Sequence, residues 1–111
     1  MLNVAGSAVL LVLCAPLAMA QTWPVKPVRI ISPFAPGGGN DTLSRILAAS
    51  LTQKLGQQVI VENRPGANTI VGTEWVVKAP PDGYTLIVLP NAVTINPHLY
   101  GKMPFDILKD L

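Results

Sequence analysis

Three consecutive glycines, Gly37-Gly38-Gly39, followed by Asn40-Asp41, are the residues of this chain best suited to chemistry at the backbone. Lacking Cβ atoms, they let a ligand approach main-chain N–H groups closely. A second stretch of similar character is Gly66-Ala67-Asn68-Thr69. Where such a stretch leads into a helix, the unpaired N–H groups of the first turn and the positive end of the helix dipole face the same space. Two helix N-termini converging in this way form an anion site that needs no cationic side chain, and a small carboxylate is its natural occupant. A single glycine-rich turn is more often only a tight strand-to-helix connection. Two on one sheet edge bring the readings level.

Other chemistries are poorly supplied. The segment Pro36-Gly37-Gly38-Gly39-Asn40-Asp41 lacks the G-x-G-x-x-G spacing of a dinucleotide fold and the G-K-[ST] ending of a phosphate loop. His98 is the sole histidine and Cys14 the sole cysteine, and no carboxylate cluster completes a metal or nucleophile site. Ser32 and Ser44 have no base beside them in sequence. Arg64 could counter a ligand charge, although an exposed turn arginine is the commoner case. Trp75 is expected to pack a helix onto a sheet, and His98 to lie at the surface or the core edge. No enzyme activity, cofactor or metal is expected. The net charge of +2 is too small to suggest a nucleic-acid surface.

The elements that must position these residues follow from periodicity. Val28 to Phe34 is β-branched and bounded by prolines, which predicts a strand. Leu43, Ile46, Leu47, Leu51 and Leu55 recur at helical spacing, with Asn40 or Asp41 as expected N-cap and Gly56 where a C′ glycine belongs. Gln58 to Glu62 predicts a second strand and about Thr69 to Lys78 a second helix, stopped by Pro80-Pro81. Tyr84 to Leu89 predicts a third strand buried on both faces. Asn91 to Leu111 shows no clear period and is left without assignment. The order is β-α-β-α-β, an α/β fold with a parallel sheet. The loops Ala35 to Asn40, Asn63 to Asn68 and Pro90 to Asn96 then gather along one edge, where open α/β sheets bind ligands.

Before these elements lies a different kind of segment. Met1 to Ala20 carries no Asp, Glu, Lys or Arg; all eight basic and six acidic residues fall from Lys26 onward. Val4 to Leu13 is an apolar run of about ten residues, half of the roughly twenty needed to span a bilayer. Ala18-Met19-Ala20 follows as a small-residue cleavage site, so residues 1–20 read as a secretory signal cut before Gln21, although its n-region has no basic residue. Lipid attachment at Cys14 is disfavoured because the bulky Leu13 precedes it. Cleavage would remove the only cysteine and leave a mature part without disulfides, expected in the periplasm.

The sequence also resembles a known family. Trp23-Pro24-Val25-Lys26-Pro27-Val28-Arg29-Ile30-Ile31, then Pro33-Phe34-Ala35-Pro36-Gly37-Gly38 with Asp41, is similar to the mature start of the Bug-type extracytoplasmic solute receptors. These are the substrate-binding components of tripartite tricarboxylate transporters. Val61-Glu62-Asn63-Arg64-Pro65-Gly66-Ala67 with Gly72 is similar too, as are Pro81-Asp82-Gly83-Tyr84-Thr85-Leu86, Asn96-Pro97 and Met103-Pro104-Phe105-Asp106.

The resemblance implies a two-lobed periplasmic binding protein of type II, closing on a small carboxylate without catalysis. It implies that residues 21–111 are the βαβαβ part of lobe 1, and that the chain is a truncated copy binding weakly or not at all by itself. It implies membrane transporter subunits as partners of the full-length parent, and a monomer. The runner-up is a periplasmic carboxylate sensor or interaction protein serving a signalling partner. In the family the carboxylate is held between the first two strand-to-helix loops by backbone groups and bridging water. Carried over, this points to Ala35, Pro36, Gly37, Gly38 and Asp41 in the first loop and to Gly66, Ala67, Asn68, Thr69 and Gly72 in the second. Asn91 and Ala92 are implied in the third. Many relatives have Gly-Gly where this chain has Asn68-Thr69. Asn tolerates left-handed backbone and Thr caps helices, so the anion site is expected to survive.

Overall fold

The computed structural model describes residues 22–111; the expected signal segment 1–20 and its cleavage point lie outside the described residues. Three strands, β1 (Val28–Ser32), β2 (Val59–Asn63) and β3 (Thr85–Ile87), form a parallel sheet in the order β2-β1-β3. The registers pair Ile30 with Val61 on one side and with Leu86 on the other. Helix α1 (Gly39–Leu55) joins β1 to β2, and α2 (Ile70–Val77) joins β2 to β3. The chain therefore steps outward from β1 in one direction and then in the other.

This reversal puts the two helices on opposite faces. Val28 and Ile30 on β1 and Val59 on β2 bury themselves with Ala48 of α1, supported by Leu51, Leu55 and Val61. The alternate residues of β1 face α2, where Arg29 lies over the ring of Trp75. Side chains of a strand alternate between faces, so one five-residue strand serves both layers. β1 is accordingly the most deeply buried strand, with only Arg29 exposed.

α1 differs from its expected face. Leu51 and Leu55 pack inward, but Leu43, Ile46 and Leu47 are 48%, 61% and 39% exposed. The inward stripe runs instead through Asp41, Ser44 and Ala48. The spacing is still helical; the phase is set by the polar first turn, which must fasten the preceding loop, and by small residues that let the helix approach the sheet. The expected cap also differs: Gly38 is the N-cap, without a side-chain bond. The C-terminus is as expected, with Gly56 at φ 64° and its N–H on Thr52 O at 3.1 Å.

β3 is shorter than Tyr84 to Leu89 and is not buried on both faces, since Leu86 and Leu89 are exposed. It pairs only with β1, and α1 covers β1 and β2 rather than β3. Beyond it, α3 (Ala92–Tyr100) and α4 (Ile107–Asp110) form where no period was evident. Pro97 interrupts the α3 pattern and lacks an N–H, yet the helix ends only at Tyr100. Asp106 caps α4 by accepting the N–H of Leu108 at 3.0 Å. Among the described residues no helix is long and apolar enough to cross a membrane, and no group of three potential metal ligands occurs.

Candidate functional site

The sheet order β2-β1-β3 has its switch point between β1 and β3, and the loops leaving all three strands share one edge there. The first loop, Pro33 to Gly38, runs into α1. Phe34, Ala35, Pro36, Gly38, Gly39 and Asn40 line an open concavity of about 430 Å³. A Cβ added at Gly37 or Gly39 would meet nothing within 4 Å, so the backbone faces free space. Gly37 has φ 94°, which only glycine adopts without strain. The first helical bond is Thr42 N–H to Gly38 O at 3.0 Å. The N–H groups of Gly39, Asn40 and Asp41 precede it and belong to the open first turn.

Asp41 sits beneath that turn rather than in the open space. It is 4% exposed. One carboxylate oxygen accepts from Gly37 N–H at 3.0 Å and Arg45 Nε at 3.0 Å; the other accepts from Asn63 Nδ2 at 2.9 Å. The Arg45 guanidinium first, then the Gly37 N–H and the Asn63 amide, hold its pKa down to about 2 against the opposing effect of burial. Asp41 is thus a charged brace that fixes the glycine turn, and its oxygens are already engaged within the chain.

Four asparagines tie the loops together. Asn40 accepts from Ser32 Oγ at 2.7 Å and donates to Val88 O at 3.2 Å, spanning the ends of β1 and β3 at the switch point. Asn63, the last residue of β2, donates to Phe34 O at 3.1 Å as well as to Asp41. Asn68 in the second loop bonds Asn96 in α3. None of these pairs is local in sequence, and sequence reasoning did not single out Asn40, Asn63 or Asn96 as ties between loops. The one available signal was position: Asn40 and Asn63 stand where strands feed loops.

The second loop reaches α2 through a 3₁₀ turn at Ala67–Thr69. Ala67, Asn68 and Thr69 have φ of 46°, 50° and 79°, so three successive non-glycine residues are left-handed. Thr69 stands at the N-cap of α2 but its side chain makes no cap bond, contrary to the expected capping role. Gly72 is not on the open edge. A Cβ there would lie 2.7 Å from Arg64 O and 2.9 Å from Pro33 Cβ, so this glycine lets α2 pack against the roots of the first and second loops. Asn91 is the N-cap of α3, exposed and without a side-chain cap bond, and Ala92 begins that helix.

Arg64 is neither a free counter-charge nor a simple exposed turn residue. Its guanidinium stacks 4.0 Å from the centre of the Trp75 ring and pairs with Glu62. Arg29 lies 5.3 Å from the same ring and 3.7 Å from Glu62. Trp75 therefore couples α2 to β1 and to the end of β2 through two cations as well as by packing. His98 is exposed.

Comparison with known proteins places this geometry among relatives. Residues 43–111 match the model of the tripartite tricarboxylate transporter family receptor. A UPF0065 protein of Bordetella pertussis is 45% identical over 98 residues, covering 87% of this chain and 30% of the relative. A solved structure described as a periplasmic transporter superposes with a TM-score of 0.75 at 38% identity, over 78% of this chain and 30% of that one. Two Rhodopseudomonas palustris structures are also similar. One, with adipate, has a TM-score of 0.59 at 39% identity, over 60% of this chain and 22% of that chain. The other, MatC with bound malate, has a TM-score of 0.56 at 42% identity, over 58% and 22%. The chain spans about 30% of the length of the curated relatives it matches.

Proposed function

Because the chain belongs to the family of tripartite tricarboxylate transporter receptors, we propose that it forms the first-lobe edge of an extracytoplasmic receptor for a small carboxylate. The observation that carries the reading is the open first turn of α1. Its glycine backbone faces a concavity, and its conformation is fixed from behind by Asp41. Such a turn offers several neutral donors and the positive end of a 17-residue helix to an anion. Ala35, Pro36 and Gly38 line that space; in this reading Gly37, and Gly66 to Thr69 with Asn91 and Ala92 from the neighbouring loops of the same sheet edge, complete the site. Asp41 and Gly72 support the loops from within. The ligand class is supported by the relatives solved with adipate and malate.

In this reading residues 1–20 direct export to the periplasm, residues 21–111 belong to lobe 1, and a membrane transporter receives the ligand. No chemistry is performed on the ligand. The test is an amide NMR titration of ¹⁵N-labelled protein with malate and adipate, against sodium chloride at matched ionic strength. Weak shifts that nonetheless saturate are expected at Gly38, Gly39 and Asn40 and at residues 67–70, since one lobe edge meets the ligand from one side only. Shifts no larger than those from chloride at these amides refute the carboxylate site.

A further inference from the structure

Asn96 is 1% exposed within α3 and meets Asn68 through two reciprocal hydrogen bonds. Asn68 Nδ2 donates to Asn96 Oδ1 at 2.8 Å, and Asn96 Nδ2 donates to Asn68 O at 2.8 Å. Between them these bonds engage both the side chain and the backbone of the middle residue of the left-handed turn.

That turn needs an external hold. Left-handed backbone at non-glycine residues costs free energy and persists only where the surroundings over-determine it. Thr69, at φ 79°, is β-branched and the least suited of the three. Its own hydroxyl gives no help, because Thr69 Oγ1 is buried without a hydrogen-bond partner. Ala67 has only a methyl group to offer. The backbone bonds at the turn are local, Ile70 N–H to Ala67 O and a long Val71 N–H to Gly66 O at 3.5 Å. Asn68 is therefore the residue of the turn whose side chain reaches another element, and Asn96 is what it reaches.

We propose that Asn96 is a positioning residue for the second ligand loop, holding residues 67–69 in the backbone conformation that glycines would adopt unaided. The pair also keeps the Asn68 amide turned toward α3, so the loop presents backbone rather than a side-chain amide to the ligand space. What the loop holds rests on the carboxylate reading above; how the loop is held does not.

The test compares the wild type with Asn96→Ala, Asn68→Gly and the double variant Asn68→Gly/Asn96→Ala, all ¹⁵N-labelled. Without ligand, strong intraresidue HN–Hα cross-peaks report positive φ at residues 67–69. With malate as probe, amide shifts at residues 67–70 report affinity. Asn96→Ala is expected to weaken the cross-peaks at 68 and 69 and to lower malate affinity roughly tenfold, the scale of two lost neutral hydrogen bonds. The double variant is expected to recover most of that loss, because glycine takes the left-handed conformation without a hold. If Asn96→Ala does not fold, recovery of the fold and of malate binding in the double variant still supports the inference. Unchanged cross-peaks in Asn96→Ala overturn it, as does malate affinity equal to wild type once the cross-peaks are lost. A double variant no better than Asn96→Ala overturns it too. A wild type that does not respond to malate sinks the carboxylate reading instead, and the ligand-free cross-peaks still decide the role of Asn96.

Discussion

Replacing Gly72 by alanine sets two physical effects of opposite sign against each other. Helix propensity favours alanine over glycine by about 1 kcal/mol in an open helix interior. At Gly72, however, the new methyl would sit 2.7 Å from Arg64 O, 2.9 Å from Pro33 Cβ and 3.1 Å from Pro33 Cα. Two of these neighbours are backbone atoms, and the third belongs to a rigid ring, so the contact is relieved only by moving α2 away from the sheet edge. Overpacking of this kind costs about 1–3 kcal/mol, and more where backbone must shift. The expected net effect is a loss of about 1–2 kcal/mol, since the clash meets backbone that cannot rotate aside. In a domain of this size that lowers the melting temperature by roughly 4–15 °C. Urea denaturation with an unchanged m-value, together with a thermal melt, measures it. A stabilised Gly72→Ala protein, as an open helix surface would give, refutes the close approach of α2 to Pro33 and Arg64.

Three further outcomes follow from the site. Asp41 has a folded-state pKa of about 2, below its ordinary 3.8, so its contribution is present in full above about pH 4 and lost as the pH falls through about 2. Asp41→Asn is expected to lower the urea midpoint at pH 7 and to remove part of the acid-side fall, and an unchanged slope between pH 4 and 2 would count against the brace. Asn40→Ala orphans the buried Ser32 hydroxyl and Val88 O and is expected to cost about 1–3 kcal/mol by chemical denaturation; a loss below about 0.5 kcal/mol would show that the switch-point bridge is not formed. When the chain is expressed with its own leader in a bacterial host, N-terminal sequencing of the periplasmic product is expected to begin at Gln21, and an uncleaved product contradicts the signal reading.

Much of the frame could be read from the residues. β1, α1, β2 and α2 could be read because the strands are short β-branched runs, α1 repeats its leucines at helical spacing, and glycines or prolines mark where these elements stop. The face of α1 could not be read this way. Leu43, Ile46 and Leu47 carry the apolar signal, but the helix start must present Asp41 and Ser44 to the sheet edge, and the rest of the helix follows in phase. α3 was hidden by Pro97, whose presence usually argues against a helix interior. The open glycine turn of the first loop was legible because glycine requirements are local. The asparagine ties were not, since Asn40 meets Val88, Asn63 meets Asp41 and Asn68 meets Asn96 across separations no periodicity encodes.

The disposition of the arginines fits the proposed site of backbone donors. All three arginines are engaged in pairs within the chain: Arg29 and Arg64 both lie over the Trp75 ring and share Glu62, and Arg45 binds Asp41. Each of these pairs stiffens a root of a loop at the sheet edge, so these positive charges hold the loops in shape. A site of neutral donors discriminates by where its N–H groups point, because a misplaced neutral donor contributes little at distance whereas a full charge still attracts. In the proposed carboxylate site, the precision of the loops is then the source of selectivity. This accounts for a sheet edge fastened by one buried carboxylate and four asparagines while the glycines above it remain open.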